Sequence, residues 1–182
     1  MNIYLVRHGE ATASWQQADD PGLSERGHQQ AADTAQQLLQ RIEPDIRLVS
    51  SPMLRARETA RPLSEALTAD VTIVDPFREI PTPVPREKRQ SWLNSIARQS
   101  WEEQHEVVRE WRGALLAQLL QIREPTVVFT HFMVLNAVVS ALTDEDKVVC
   151  FLPDNASVTT LRWVGDDFQL VELGRQFRTR VN

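Results

Sequence analysis

Ile3-Tyr4-Leu5-Val6-Arg7-His8-Gly9-Glu10 sets four β-prone apolar residues directly before a cation, an imidazole, a glycine and an acid. A short apolar run bounded by polar residues reads as a strand buried on both faces. In an open α/β sheet, the residues after such a strand lie beyond the sheet's carboxyl edge, where ligands bind. The pattern recurs along the chain. Thr126-Val127-Val128-Phe129 runs into Thr130-His131, Leu48-Val49 into Ser50-Ser51-Pro52 with Arg55 and Arg57 a turn further on, and Ile73-Val74 leads to Arg78-Glu79. These strand ends would bring imidazole, guanidinium and carboxylate groups to one rim, an arrangement suited to an anionic ligand.

Helical signals fill the intervals. Ser24 is placed to cap a helix whose apolar positions Ala31, Ala35, Leu38, Leu39 and Ile42 recur at helical spacing, with Pro44 as its stop. Ser51-Pro52 predicts an N-cap followed by proline at the first helical position, opening a helix toward Leu67 that Pro62 should kink or divide. Val71 to Val74 reads as a third strand. Pro76, Pro81, Pro83 and Pro85 argue against regular structure from 76 to 87. Helices are then expected over about 89–99 and 101–122, the second capped by Ser100. A helix through Leu135, Val138, Val139 and Leu142 follows the strand at Thr126–Thr130. A hairpin, Ser157–Trp163 with Phe168–Leu173, closes around Gly165-Asp166-Asp167. Alternating strands and helices predict an α/β fold, a three-layer α/β/α sandwich with a mostly parallel central sheet. The 182 residues suit a single domain, 1–182, with a small helical cap-like insertion at about 80–122.

Composition excludes several classes of function. A net charge of −5 disfavours a nucleic-acid-binding surface, which relies on excess Lys and Arg. Cys150 is the one cysteine, so neither an internal disulfide nor a CxxC zinc site is available. Four histidines without an HExxH pattern argue against a zinc enzyme, and no Walker-type or GxGxxG loop is present. No apolar run approaches the ~20 residues that span a bilayer. Arg7, His8 and Glu10 interrupt the first apolar run, so a cytoplasmic protein without a signal peptide is expected. His28 and His105 read as solvated. So do the basic clusters Arg86, Lys88, Arg89 and Arg175, Arg178, Arg180. Trp92, Trp101 and Trp111 read as packing of the insertion.

The strand-end residues also carry a resemblance. Leu5-Val6-Arg7-His8-Gly9-Glu10 resembles the signature of the histidine phosphatase superfamily, of phosphoglycerate-mutase-like fold. Gly22-Leu23-Ser24-Glu25-Arg26-Gly27, Ser50-Ser51-Pro52-Met53-Leu54-Arg55-Ala56-Arg57-Glu58-Thr59-Ala60 and Thr130-His131 agree in order and spacing. Phe77-Arg78-Glu79-Ile80 resembles the block with the family's acidic residue, and Asn155-Ala156-Ser157 its late strand. The resemblance implies a nucleophilic His8 that becomes a phosphohistidine. It implies Arg7, Arg55 and His131 around the phosphoryl oxygens, and Glu79 as the acid that protonates the leaving oxygen. Imidazole suits the first role because its neutral nitrogen is nucleophilic near pH 7. Guanidinium groups suit the second through planar, forked donors. No metal and no other cofactor is implied, since the pocket's cations take the place of magnesium.

Three departures bear on substrate choice. Ser14 stands where many members have a phosphate-binding Asn, and could donate one bond in its place. Phe132 replaces a glycine after the second histidine. Pro81-Thr82-Pro83-Val84-Pro85 replaces a glycine-containing turn. The expected function is metal-independent hydrolysis of a small phosphomonoester, with no nucleic-acid or membrane partner and the oligomeric state open. The alternatives are a cofactor-dependent phosphoglycerate-mutase-type phosphotransferase, a protein phosphohistidine phosphatase and a catalytically silent binding member.

Overall fold

The computed structural model describes residues 1–12, 20–43 and 45–177. The apolar runs form strands β1 (Asn2–Arg7), β2 (Arg47–Ser50), β3 (Val71–Ile73) and β4 (Thr126–Thr130), and the terminal hairpin forms β5 (Val158–Val164) and β6 (Asp167–Glu172). They make one six-stranded sheet in the order β3-β2-β4-β1-β5-β6. β1 to β4 pair in parallel, whereas β5 runs antiparallel to β1 and β6 antiparallel to β5.

Strand alternation divides the core into two faces. Tyr4, Val6, Leu48, Val127 and Phe129 point to one side and pack with Ala35 and Leu38 of α1 (Glu25–Leu39) and Ala60 and Leu63 of α2 (Leu54–Leu67). Ile3, Leu5, Val49 and Val128 point to the other, where α4 (Glu106–Leu119) contributes Leu115 and α5 (Phe132–Leu142) contributes Leu135 and Val138. Each such Val, Leu, Ile or Phe side chain, taken out of water, stabilises the fold by about 1.5–3 kcal/mol. The short α3 (Arg89–Ile96) buries only Ile96 fully. Within the stretch 80–122, therefore, α4 completes a helical layer while α3 stands over the sheet's rim.

Local structure departs from the sequence expectations where tertiary contacts outweigh local signals. Ser24 does cap α1, its Oγ accepting from Gly27 N–H, but the helix ends at Leu39 and Pro44 lies outside the described residues. α2 starts at Leu54, not at Pro52. The carboxylate of Asp20 accepts from Leu54 N–H at 2.9 and 3.0 Å, while Ser51 Oγ is held by Met53 N–H. A carboxylate 34 positions away thus caps the helix, which only the tertiary fold arranges. Pro62 neither divides nor ends α2. It removes one backbone donor, and Thr59, Ala60 and Leu63, buried on either side, hold the axis through it.

The proline-rich stretch, expected to lack regular structure, holds single 3₁₀ turns at Asp75–Phe77 and Arg86–Lys88. Proline's fixed φ is compatible with both. α4 begins at Glu106, and its cap is His105, whose Nδ1 accepts from Val107 N–H. Ser100 closes the preceding turn instead, with Glu103 N–H on its Oγ. The reason is Trp101. Its ring is buried and its indole N–H reaches Ser140 Oγ at 2.8 Å, pulling that turn out of the helical path. Among the described residues, no helix is long and apolar enough to cross a membrane.

Candidate active site

Sheet register places the first histidine. Arg7 pairs with Thr130 across β1 and β4, so the residues just beyond both strands meet, and the His8 and His131 rings lie 5.3 Å apart. His8 N–H donates to Thr130 O at 2.9 Å, which fixes the turn. His8 Nδ1 lies 2.7 Å from Gly9 O. A carbonyl only accepts, so Nδ1 carries the proton and the lone pair is left on Nε2. The imidazole is buried. Burial first, then the Arg55 and Arg7 charges, hold its pKa well below 6.5, leaving a neutral ring at physiological pH.

Tight backbone packing holds this turn. A Cβ on Gly9 would meet Gly27 O at 2.6 Å, and one on Gly27 would meet Glu10 O at 2.1 Å. The glycines of the first two sequence blocks therefore pack against each other, joining the β1 turn to the start of α1. Thr59 of α2 joins it from the other side, accepting from Gly9 N–H at 3.0 Å and donating to Arg55 O at 2.6 Å.

The first turn of α2 carries Arg55 inward and Arg57 outward. Arg55 is 1% exposed, whereas Arg57 is solvated. Burial lowers the Arg55 pKa to about 10, opposed by Glu79 and Asp20, so it remains a cation at neutral pH. Arg55 Nη2 lies 3.2 Å from His131 Nδ1. Guanidinium only donates, so His131 Nδ1 accepts and its Nε2–H points to Ser51 Oγ, 2.7 Å away. Burial, then Arg55 and its other charged neighbours, lower the His131 pKa well below 6.5 as well. Arg7 donates from Nη1 to Pro153 O at 2.7 Å, and its guanidinium lies 5.3 Å from the centroid of the Phe132 ring. The residue in the glycine's place thus supplies a cation–π platform for Arg7.

Glu79 follows the 3₁₀ turn after β3 and is buried. Its Oε1 accepts from Ile80 N–H at 3.0 Å and from Met133 N–H, in the first turn of α5, at 3.2 Å. Burial raises its pKa above 4.5, and the Ile80 bond and the charges of Arg55, Arg89 and Arg7 only partly offset that.

Arg7, His8, Arg55 and Glu79 all line one cavity of about 580 Å³. His131 is fully buried and joins the set through Arg55 and the His8 ring. Ser14 lies outside the described residues. Arg89, read from sequence as solvated, is instead half-buried on the cavity wall, donating to Ile80 O at 3.3 Å within the field of Glu79. Its helical spacing to Leu93 and Ala97, which line the same cavity, is the signal that marks it. Arg86 and Lys88 are exposed, Arg175 pairs with Asp154 at 3.0 Å, and Arg178 and Arg180 lie outside the described residues. His28 and His105 are exposed. Trp111 donates to Arg78 O at 3.0 Å, and Trp92 packs half-buried against the core. Among the described residues, no group of three or more His, Cys, Asp or Glu is placed to hold a metal ion.

Comparison with known proteins finds solved structures of the same fold. A mycobacterial hydrolase is 22% identical with a TM-score of 0.73, covering 99% of this chain and 93% of its own. The mycobacterial glucosyl-3-phosphoglycerate phosphatase, solved with VO3, is 22% identical with a TM-score of 0.65, covering 88% of this chain and 92% of its own. A phosphoserine phosphatase from Entamoeba histolytica, solved with 3-phosphoglyceric acid, is 21% identical with a TM-score of 0.67, covering 94% of this chain and 98% of its own. At these identities the likeness shows a shared fold. No curated protein matches the sequence. The sequence model of the histidine phosphatase superfamily (branch 1) matches residues 3–176, and the chain belongs to that superfamily.

Proposed function

We propose that this protein is a phosphatase that hydrolyses a small phosphomonoester through a phosphohistidine on His8. One observation carries the reading: a neutral imidazole with its lone pair on Nε2 shares a cavity with the buried Arg55 guanidinium, the half-buried Arg7 guanidinium and a carboxyl whose pKa is raised. Phosphatase activity accords with membership of the superfamily and with the phosphatase names of two structural neighbours.

In the first step His8 Nε2 forms a bond to phosphorus, the ester P–O bond breaks, and protonated Glu79 gives its proton to the leaving oxygen. In the second step ionised Glu79 takes a proton from water, the water oxygen bonds to phosphorus and the P–N bond breaks, returning His8 and inorganic phosphate. Arg7 and Arg55 hold the phosphoryl oxygens, whose spread charge is what a protein stabilises in such transfers, and His131 orients Arg55 by accepting from its Nη2. A dianionic phosphate near Glu79 raises the carboxyl pKa further, which favours the form that donates.

The test is phosphate release from a panel of esters in EDTA, wild type beside His8→Ala, with capture of labelled phosphate on the wild-type chain. Turnover that persists in EDTA, is lost in the variant and passes through a labelled His8 is the expected result. Interconversion of 2- and 3-phosphoglycerate exceeding hydrolysis would replace this reading with a mutase.

A further inference from the structure

The cavity is far larger than the group it is proposed to hydrolyse. Its volume of about 580 Å³ exceeds the ~30 Å³ share of one liquid water nearly twenty-fold, and a phosphoryl group fills only its cationic end. The remaining wall is built from three places in the chain. α3 and the residue just past its end present Leu93 and Ala97, the start of α5 presents Phe132 and Met133, and the segment before β5 presents Val149 and Leu152. All but the buried Met133 are partly exposed; Leu93, Phe132 and Val149 also pack against the core, and the remainder of their apolar surface is left to the cavity.

Charge on that wall is sparse and already engaged. Among the described lining residues outside the phosphate set, the cation is Arg89, which donates to Ile80 O and balances Glu79. The acid is Glu10, whose Oε1 accepts from Ser24 Oγ and whose Oε2 lies 3.6 Å from Arg26 Nη1, so it offers a second anion no attraction. Gln90 and Asn94 bond to each other at 3.0 Å, leaving neutral amide groups at the surface. A ligand carboxylate or second phosphate placed against Leu93, Ala97 and Val149 would lose hydration and meet there neutral amide donors and no cation besides Arg89, among the described lining residues. An aryl or alkyl body there loses only apolar contact with water.

Resting on the phosphatase reading above for the anionic end, we infer that the site selects phosphomonoesters whose alcohol carries an uncharged, largely apolar body, and discriminates against small esters bearing a second anionic group. The preference is a property of binding and can be read without turnover.

Titration calorimetry with 3-phenylpropylphosphonate and 4-phosphonobutyrate, which share an alkyl chain and differ in its end, tests it directly. The expected result is a dissociation constant ten-fold or more lower for the phenyl compound, with that ratio falling at least five-fold in Leu93→Lys, which removes apolar surface and offers the carboxylate a cation. Where Leu93→Lys fails to give the wild-type circular dichroism, Ala97→Asn at the next turn of the same face reads out the same ratio. Equal or tighter binding of 4-phosphonobutyrate, a ratio unmoved by the wall substitution, or binding of neither compound overturns the inference. The two readings fail separately. A protein that prefers the phenyl compound but releases no phosphate loses only the hydrolysis. One that hydrolyses through His8 yet prefers the carboxylate compound loses only the selectivity.

Discussion

The rim formed by β1, β4 and α2 and the wall formed by α3 face each other across one cavity but are built on opposite plans. On the rim every functional group is held by several parts of the chain. Gly9 presses on Gly27, Thr59 ties the turn to α2, Gly9 O orients His8, and two backbone N–H groups hold Glu79. The α3 part of the wall is a short helix with one fully buried residue, and its Gln90 and Asn94 amides bond to one another. The contrast reflects the separate demands on the two sides. Nucleophilic attack depends on sub-ångström placement of Nε2 and the cations, whereas accommodation of an apolar body asks only for shape and for the absence of competing charge.

Breaking the rim should have the larger consequences. His8→Ala is expected to reduce phosphate release at least ~10³-fold, since no other described side chain in the cavity offers a neutral nitrogen nucleophile. Residual steady turnover near the wild-type rate would end the covalent mechanism. Gly27→Ala forces a Cβ into Glu10 O, and the resulting shift of the His8 turn should cost about 2–4 kcal/mol of stability, read by urea denaturation. A change within error would mean that the turn is looser than its packing implies.

Glu79→Gln should lower kcat about 10²-fold on alkyl esters and much less on esters whose leaving group needs no proton. A uniform loss across both would make Glu79 a positioning residue. The wild-type rate should also fall as pH rises through the raised Glu79 pKa, because the protonated form is the donor, and Glu79→Gln should remove that limb. The opposite sign applies to the histidines in stability. Their folded pKa values are lowered, so the unfolded chain binds more protons below pH 6.5 and stability is lost as pH falls through that value. The melting temperature should track that fall, and His131→Gln should flatten it.

The smallest effect sharpens the contrast within one helix. Arg57→Ala, on the outer face of α2, should leave kcat/KM within about two-fold of wild type, as for most substitutions at exposed positions. Arg55→Lys, at the buried position two residues earlier, should lower it about 10²-fold by losing the forked donor set. Similar losses at both positions would mean that the helix face has been assigned wrongly.

Much of the rim is legible in the sequence because its signals are local. Apolar runs stop at His8, Arg55, Glu79 and His131, and parallel strands deliver such residues to one edge whatever lies between them. The same locality misleads where a distant group intervenes. Asp20 takes the capping role expected of Ser51, Trp101 shifts the start of α4 to His105, and buried neighbours carry α2 through Pro62. Arg89 escapes a sequence reading for the same reason, since its cluster looks solvated until α3 is laid over Glu79.

The amino-acid order is therefore enough for the strand–helix alternation, the residues at the strand ends and the choice of Arg55 by its place in a motif. Those are set by periodicity and by residue chemistry over a few positions. Three features needed the folded chain: the tautomer of His8, the contact shared by Gly9 and Gly27, and the apolar far wall of the cavity with Arg89 turned to Glu79. The last two join groups far apart in the chain, and the first rests on the turn that Thr130 holds. Their meeting depends on sheet register and helix packing, which no local pattern encodes.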